Sequence, residues 1–173
     1  MQTYFSTRTF VLITIITALA LLRLLPHPPN FTPIAAMALF GGAFFANKKM
    51  AFIAPFAAML ISDLIIGFHG MMAAVYISFG ICVLIGQRLK NKTNPLTIAS
   101  SALLCSVLFF VFTNFAVWME GTNYTFDLVG LFTCYIAAIP FFHYTLIGDL
   151  LFTGILFGGF IYAQQRYPIL VKG

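Results

Sequence analysis

Residues 47–70 have the sequence NKKMAFIAPFAAMLISDLIIGFHG, and this stretch decides the fold. Between Lys49 and His69 the chain is apolar except for Ser62 and Asp63. Such a run is typical of a transmembrane helix, because about 20 helical residues cross a hydrocarbon core about 30 Å thick. Two lysines precede the run, whereas a carboxylate and a histidine lie at its other end. The sequence therefore predicts a membrane helix with chemically different ends.

The composition of the whole chain agrees with this interpretation. The 173 residues are 61% hydrophobic and 8% charged, whereas soluble domains carry about 25% charged residues. The apolar runs are continuous rather than alternating, which favours helices over a barrel. The net charge of +5 does not indicate nucleic-acid binding, since the basic residues are scattered through short loops. We expect an integral membrane protein with a single helical domain over residues 1–173.

The spacing of the apolar runs predicts an all-α, polytopic fold. We expect six transmembrane helices, at about 9–25, 33–46, 50–68, 71–87, 96–119 and 141–163. A further helix from about residue 128 should end at Pro140, because proline interrupts helical hydrogen bonding. That helix is too short to cross a membrane, so we expect it to be re-entrant or interfacial.

Charge predicts the orientation of these spans. Arg23 is the one basic residue in loops on one side; the other eight all fall on the opposite side, at Arg8, Lys48, Lys49, Arg88, Lys90, Lys92, Arg166 and Lys172. Short loops rich in Lys and Arg face the cytoplasm. We therefore expect both termini to be cytoplasmic. If residues 128–140 crossed the membrane, the tail would instead lie outside.

Two carboxylates, Asp63 and Asp149, fall within predicted spans. A carboxylate at the centre of a span costs about 2.5–3.5 kcal/mol on insertion scales, so it usually faces a cavity or a partner. One interpretation is a polar cavity open to the outside. The other is that one of the two aspartates pairs with Arg23, the sole cation on that side, and has a purely structural role.

Other chemistry is weakly indicated. The chain lacks phosphate-binding and catalytic motifs, so we expect neither an enzyme nor a cofactor, and any active transport would need a separate energy source. The three histidines come from different spans, so we predict no metal site. The cysteines, Cys82, Cys105 and Cys134, fall within predicted helices and have no CxxC pattern, so we expect no disulfide framework.

Several motifs resemble a family of bacterial integral membrane proteins of unknown function. The resemblance covers about residues 20–160 and is carried by Arg23-Leu-Leu-Pro26-His27-Pro28-Pro29-Asn30-Phe31-Thr32-Pro33, Phe40-Gly41-Gly42-Ala43, Ser62-Asp63, Gly67-Phe68-His69, Val75-Tyr76, Thr113-Asn114-Phe115, Trp118, Pro140-Phe141-Phe142 and Gly148-Asp149.

The layout more distantly resembles the substrate-binding S components of energy-coupling-factor transporters. This resemblance implies a six-helix protein that binds a vitamin or metal ion near the outer face and docks on a separate membrane subunit with two ATPases. Ala18 and Ala20 depart from the Ala-x-x-x-Ala spacing with which such proteins contact that subunit. Relatives that handle corrinoids without it use a cysteine as cobalt ligand, and Cys82 is the candidate here.

These considerations predict a membrane-embedded binding protein for micronutrient uptake, with a small-molecule ligand, the lipid bilayer and an energising subunit as partners. The predicted outward cavity is lined by Arg23, His27, Asn30, Asp63, His69, Tyr76, Asn114, Trp118, His143 and Asp149. The alternative is a membrane scaffold or assembly protein whose buried polar residues only lock the helices together.

Overall fold

The computed structural model describes residues 6–68, 70–90, 92 and 94–171, and this part of the chain is all-helical, with no strand. The α-helices are α1 (Thr7–Leu22), α2 (Ile34–Phe44), α3 (Lys48–Ile66), α4 (Met72–Arg88), α5 (Pro95–Met119) and α6 (Leu128–Arg166). A short 3₁₀ helix, Pro168–Leu170, follows α6. The predicted all-α class is confirmed.

Helix α2 lies at the centre of the bundle and contacts all five other α-helices. All of its residues from Ile34 to Ala43 are buried. Its apolar character therefore reflects burial within the protein, as expected for a helix that is apolar all round. At 11 residues it is about 16 Å long, which is too short to cross a membrane. The prediction of a second span over residues 33–46 is corrected to a buried central helix.

Three helices, α3, α5 and α6, are long and apolar enough to cross a membrane. Helices α1 and α4 are apolar but have only 16 and 17 residues. The predicted number of six full-length spans is therefore corrected to three candidate spans among the described residues. The physical reason is that an apolar run has the same composition whether its helix faces lipid or packs against protein, and three of these runs form helices of only 11 to 17 residues.

Glycines allow α2 and α4 to approach closely. A Cβ atom built on Gly42 would collide with the carbonyl oxygen of Val83, and one built on Gly86 would collide with that of Leu39. The two backbones are thus in direct contact where the helices cross, a packing mode that small residues permit.

Helix α6 is continuous through Pro140 and contains 39 residues. The predicted helix boundary at Pro140 and the predicted separate re-entrant helix are therefore wrong. Proline removes one hydrogen bond from a helix without necessarily ending it, and membrane helices tolerate this loss. At this length α6 is about 58 Å long, almost twice the thickness of the hydrocarbon core.

The bundle has one end rich in basic residues, which we call the basic end. There Arg8, at the start of α1, donates hydrogen bonds to the carbonyls of Phe44 and Val171 at 2.7 and 2.9 Å. Lys90, just after α4, reaches the carbonyl of Ala46 at 3.4 Å. At the opposite end, the segment between α1 and α2 is non-helical, as its prolines predict.

Candidate functional site

A buried polar cluster joins α1, α3 and α4. Nη1 of Arg23 lies 2.9 Å from Oδ1 of Asp63 and donates a hydrogen bond of 2.6 Å to Oγ of Ser62. The hydroxyl of Tyr76 donates to the other carboxylate oxygen of Asp63 at 2.8 Å. The contact between Arg23 and Asp63 is the one salt bridge among the described residues. It confirms the prediction that Arg23 pairs with one of the two aspartates in the predicted spans.

Arg23 and Asp63 form an ion pair without a well-aligned hydrogen bond between them. The 2.9 Å contact between Arg23 and Asp63 brings opposite charges together, but Oδ1 of Asp63 accepts no well-aligned hydrogen bond within the described part of the chain. The strong hydrogen bond of the guanidinium goes to Ser62 instead. Asp63 is 1% exposed, and its carboxylate contacts Arg23 and Tyr76 inside the protein.

The second span carboxylate, Asp149 on α6, is also buried. Its Oδ2 lies 2.7 Å from Oγ of Ser106 on α5, and that hydroxyl is also 3.1 Å from the carbonyl of Ala102. A hydroxyl has one proton, and the shorter contact favours donation to the carboxylate. Asp149 is thus part of the contact between α5 and α6.

A cavity of about 360 Å³ lies between α4, α5, α6 and the proline-rich segment. Its position beside the first residues of α4 and the last turns of α5 places it toward the end opposite the basic end. Drug-sized ligand sites usually measure about 300–1,000 Å³ and are mostly apolar. The cavity is lined by Asn30, Met71, Val75, Phe109, Phe110, Thr113, Asn114, Val117, Ala138, Phe141 and Phe142.

The polar side chains that the described residues contribute to the cavity are the neutral groups of Asn30, Thr113 and Asn114. Nδ2 of Asn114 donates to the carbonyl of Phe110 at 2.8 Å, which fixes the orientation of the amide and leaves its oxygen as an acceptor for another donor. Thr113 donates its hydroxyl proton to the carbonyl of Phe109 at 2.7 Å, and so its oxygen also keeps acceptor capacity. The site can therefore orient an uncharged ligand through amide and hydroxyl groups.

Asn30 enters the cavity lining from the proline-rich segment. Its backbone has a φ of 63°, in the left-handed region that asparagine tolerates better than most residues. The neighbouring Phe31 packs on α6, where a Cβ atom on Gly148 would lie 3.3 Å from the ring. The Phe31 ring also contacts Phe152, with 5.6 Å between centroids. This packing holds the segment against the bundle and positions Asn30.

The structure does not gather the ten predicted site residues into one cavity. Asn30 and Asn114 line the cavity, whereas Arg23, Asp63 and Tyr76 form the separate buried cluster. His69 lies outside the described residues.

The remaining predicted residues have local partners. His27 and His143 are exposed, and Nδ1 of His27 lies 3.0 Å from the carbonyl of Pro28. Trp118 donates its indole proton to the carbonyl of Thr125 at 3.0 Å. Its ring stacks on Phe126 with 4.5 Å between centroids, so Trp118 anchors the connection between α5 and α6.

Metal ligation finds no support in the described part of the chain. No group of three His, Cys, Asp or Glu side chains there is arranged to hold a metal ion. The three cysteines are free and buried, as expected from their placement. Cys82 does not line the cavity, so the structure offers no position from which it would ligate cobalt there.

Sequence reasoning missed most of the apolar cavity lining. Phe109, Phe110, Phe141 and Phe142 are four of the 21 phenylalanines in the chain, and composition cannot separate them from lipid-facing ones. A partial signal exists, because Thr113-Asn114 and Phe141-Phe142 fall within the motifs that carry the family resemblance. Ser106, the partner of Asp149, was also missed, although a serine within a span is itself a signal for a polar contact.

Comparisons with known proteins give a family but no activity. No curated protein and no solved structure matches the chain. A family model described as a family of unknown function (DUF6580) matches residues 3–170. Because this match takes in almost the whole chain, the protein belongs to the family of unknown function DUF6580.

Proposed function

We propose that this protein is a multi-pass membrane protein that binds a small, uncharged, partly aromatic or apolar molecule. The binding site is the cavity between α4, α5 and α6, at the end of the bundle opposite the basic end. The single observation that carries the proposal is the lining of this cavity, which combines four phenylalanines with the amides of Asn30 and Asn114.

The orientation of the protein follows from the charge distribution. The basic end faces the cytoplasm, since short loops rich in Lys and Arg are retained there, and both termini lie on that side. The cavity then opens toward the outside of a bacterial inner membrane. Such a position suits a protein that captures a nutrient before it crosses the membrane.

The ligand class follows from the lining. The described residues that line the cavity include no charged side chain, histidine or cysteine, which disfavours a metal ion and favours a vitamin-like ring compound. Phenylalanine rings stack on planar ligands, and the oxygen of Asn114 accepts a hydrogen bond from a ligand N–H or O–H group. The proposal is therefore one of binding.

The role in uptake rests on the resemblance to S components of energy-coupling-factor transporters. The chain has no nucleotide-binding motif, so a separate membrane subunit with ATPases supplies the energy. Capture by this protein and delivery through that subunit then make up the transport cycle.

A second candidate function is that of a membrane scaffold or assembly protein. It is favoured by the internal pairing of Arg23, Asp63 and Tyr76 and of Ser106 with Asp149, which accounts for the buried polar groups without a ligand. Under this alternative the cavity binds no small molecule, and its polar residues matter only for stability.

Thermal unfolding in the presence of candidate ligands tests the proposal. A ligand that binds only the folded state raises the unfolding temperature in proportion to its affinity. The probes are nicotinamide, pyridoxine and thymine, each an uncharged ring compound, with tetramethylammonium as a charged comparison. We expect at least one ring compound to raise the unfolding temperature saturably and tetramethylammonium to leave it unchanged.

Two variants locate the effect. Asn114→Leu removes the free acceptor at nearly constant volume, and Asn30→Gly removes the second amide while keeping a residue that accepts a positive φ. We expect the thermal shift to disappear in Asn114→Leu and to shrink in Asn30→Gly. The scaffold alternative would be favoured if no ring compound raised the unfolding temperature of the wild-type protein. It would also be favoured if the ring compounds raised the unfolding temperature of both variants as much as that of the wild type.

A further inference from the structure

A second, smaller cavity of about 200 Å³ lies at the basic end of the bundle. Three of its lining residues are cations from different parts of the fold: Arg8 from α1, and Lys90 and Lys92 from the segment after α4. The other lining residues are mostly apolar or aromatic: Ala43, Phe44, Leu89, Phe157, Gln164 and Val171. The cavity thus combines a cationic rim with apolar walls.

The guanidinium of Arg8 is held by two hydrogen bonds, but one of its N–H donors has no acceptor among the described residues. Its two terminal nitrogens donate to the carbonyls of Phe44 and Val171, which hold the guanidinium against the cavity. Its Nε is buried and has no hydrogen-bond partner among the described residues. A buried N–H group without an acceptor is costly, so the site is poised for an acceptor from a bound molecule.

No Asp or Glu side chain among the described residues lines this cavity. The chain has four carboxylate residues: Asp63 and Asp149 are buried in the bundle with their own partners, and Glu120 and Asp127 lie between α5 and α6 at the opposite end. Three cations around one enclosed space repel one another unless an anion joins them. Arg recognises phosphate oxygens with particular strength, because its planar donors match their geometry.

We infer that this cavity binds a phosphate group. The group belongs either to a phospholipid whose tails run along the apolar helix surfaces or to a free phosphorylated small molecule. Arg8 donates from Nε to a phosphate oxygen, and Lys90 and Lys92 neutralise the remaining charge. The apolar walls near Phe44 and Phe157 are compatible with a headgroup that enters from the membrane, and basic pockets between membrane helices are known to hold anionic headgroups.

Native mass spectrometry of the delipidated protein in a neutral detergent tests this inference. The probes are phosphatidylglycerol, diacylglycerol with the same tails, and glycerol phosphate, which has the phosphate without tails. An adduct with phosphatidylglycerol alone identifies a lipid source, and an adduct that also forms with glycerol phosphate identifies a free phosphate source. Equal adducts with phosphatidylglycerol and diacylglycerol, or no adduct with any phosphate probe, would overturn the inference.

Matched charge variants locate the site. Lys92→Gln removes an exposed cation that lines the cavity, and Arg8→Gln removes the Nε donor. Arg166→Gln removes one positive charge near the C-terminal end of α6 without touching the cavity. We expect Lys92→Gln and Arg8→Gln to weaken the phosphate adduct at least tenfold and Arg166→Gln to leave it within twofold. Equal weakening by all three variants would show general charge attraction and would contradict a built site.

Discussion

The guanidinium of Arg23, at the end of α1, and the carboxylate of Asp63, on α3, are in contact at 2.9 Å inside the bundle. The side chains are 10% and 2% exposed, respectively, so both charges are largely removed from water. Two charges buried in this way stabilise a fold only while they remain paired. The pair therefore connects α1 to α3.

Replacement of Asp63 by Asn should destabilise the protein without affecting the cavity. The change leaves the Arg23 charge buried without a counter-charge, and breaking such a pair costs about 3–5 kcal/mol. We expect the unfolding temperature to fall strongly in detergent, while the affinity of the remaining folded protein for a cavity ligand stays within twofold of wild type. Thermal unfolding and ligand titration measure the two quantities separately.

The matched control for that experiment is Tyr76→Phe. It removes one hydrogen bond to Asp63 but keeps the ion pair, so its cost should be smaller, at about 1.5–3 kcal/mol for a bond to a charged group. A stability loss in Asp63→Asn no larger than that in Tyr76→Phe would show that the ion pair contributes little.

The crossing of α2 and α4 predicts a sharp difference between two Gly→Ala changes. Gly42→Ala places a methyl group against the carbonyl of Val83, and overpacking of this kind costs about 1–3 kcal/mol. Gly154→Ala on α6 meets no atom within 4 Å, and alanine is a better helix former than glycine by about 1 kcal/mol. Thermal unfolding should therefore show a loss in the first variant and none in the second; equal losses would contradict the close crossing.

Asp127 begins α6 and should make stability depend on pH in the acid range. Its carboxylate accepts hydrogen bonds from the backbone N–H of Gly130 at 2.7 Å and from the hydroxyl of Thr125 at 2.9 Å. These bonds lower the pKa of Asp127 below its usual value of 3.8. The stabilisation is therefore fully present above pH 3.8 and is lost as the pH falls through the lowered pKa.

Unfolding temperatures measured between pH 2 and pH 7 check this dependence. Asp127→Asn keeps a side-chain oxygen that caps the helix but does not titrate, so its curve should lose the part of the acid slope that Asp127 contributes. Asp127→Ala removes the cap and should lower stability at neutral pH. If the acid slope of Asp127→Asn equals that of the wild type, the lowered pKa does not influence folding.

The sequence allowed the helical class and much of the helix order to be predicted, because long apolar runs bounded by lysines or prolines have few other solutions. It did not reveal that α2 is buried on all sides, since an apolar run has the same composition whether lipid or protein surrounds it. The helix boundary predicted at Pro140 was wrong for a related reason. Proline leaves one helix carbonyl without its N–H partner, and whether the helix continues depends on what surrounds that carbonyl, which the local sequence does not specify.

The site was predictable only in part. Arg23 is the one basic residue in the loops on its side of the predicted membrane, and a buried charge needs a partner of opposite sign. The predicted carboxylate partner is present as Asp63. Asn30 and Asn114 were named as candidates, and they do line one cavity. Their juxtaposition depends on how the proline-rich segment packs against α6 and on the rotation of α5, and these are tertiary properties. The same holds for Phe141 and Phe142, which no pattern separates from lipid-facing rings.

The most direct test of the binding proposal is native mass spectrometry of the protein purified gently from its own host, beside Asn114→Leu and Asp63→Asn. The account predicts a co-purifying small, uncharged molecule in the wild type, its retention in the folded fraction of Asp63→Asn and its loss in Asn114→Leu. A wild-type protein that carries no such molecule, or an Asn114→Leu variant that retains it, would contradict the assignment of the cavity as a ligand site.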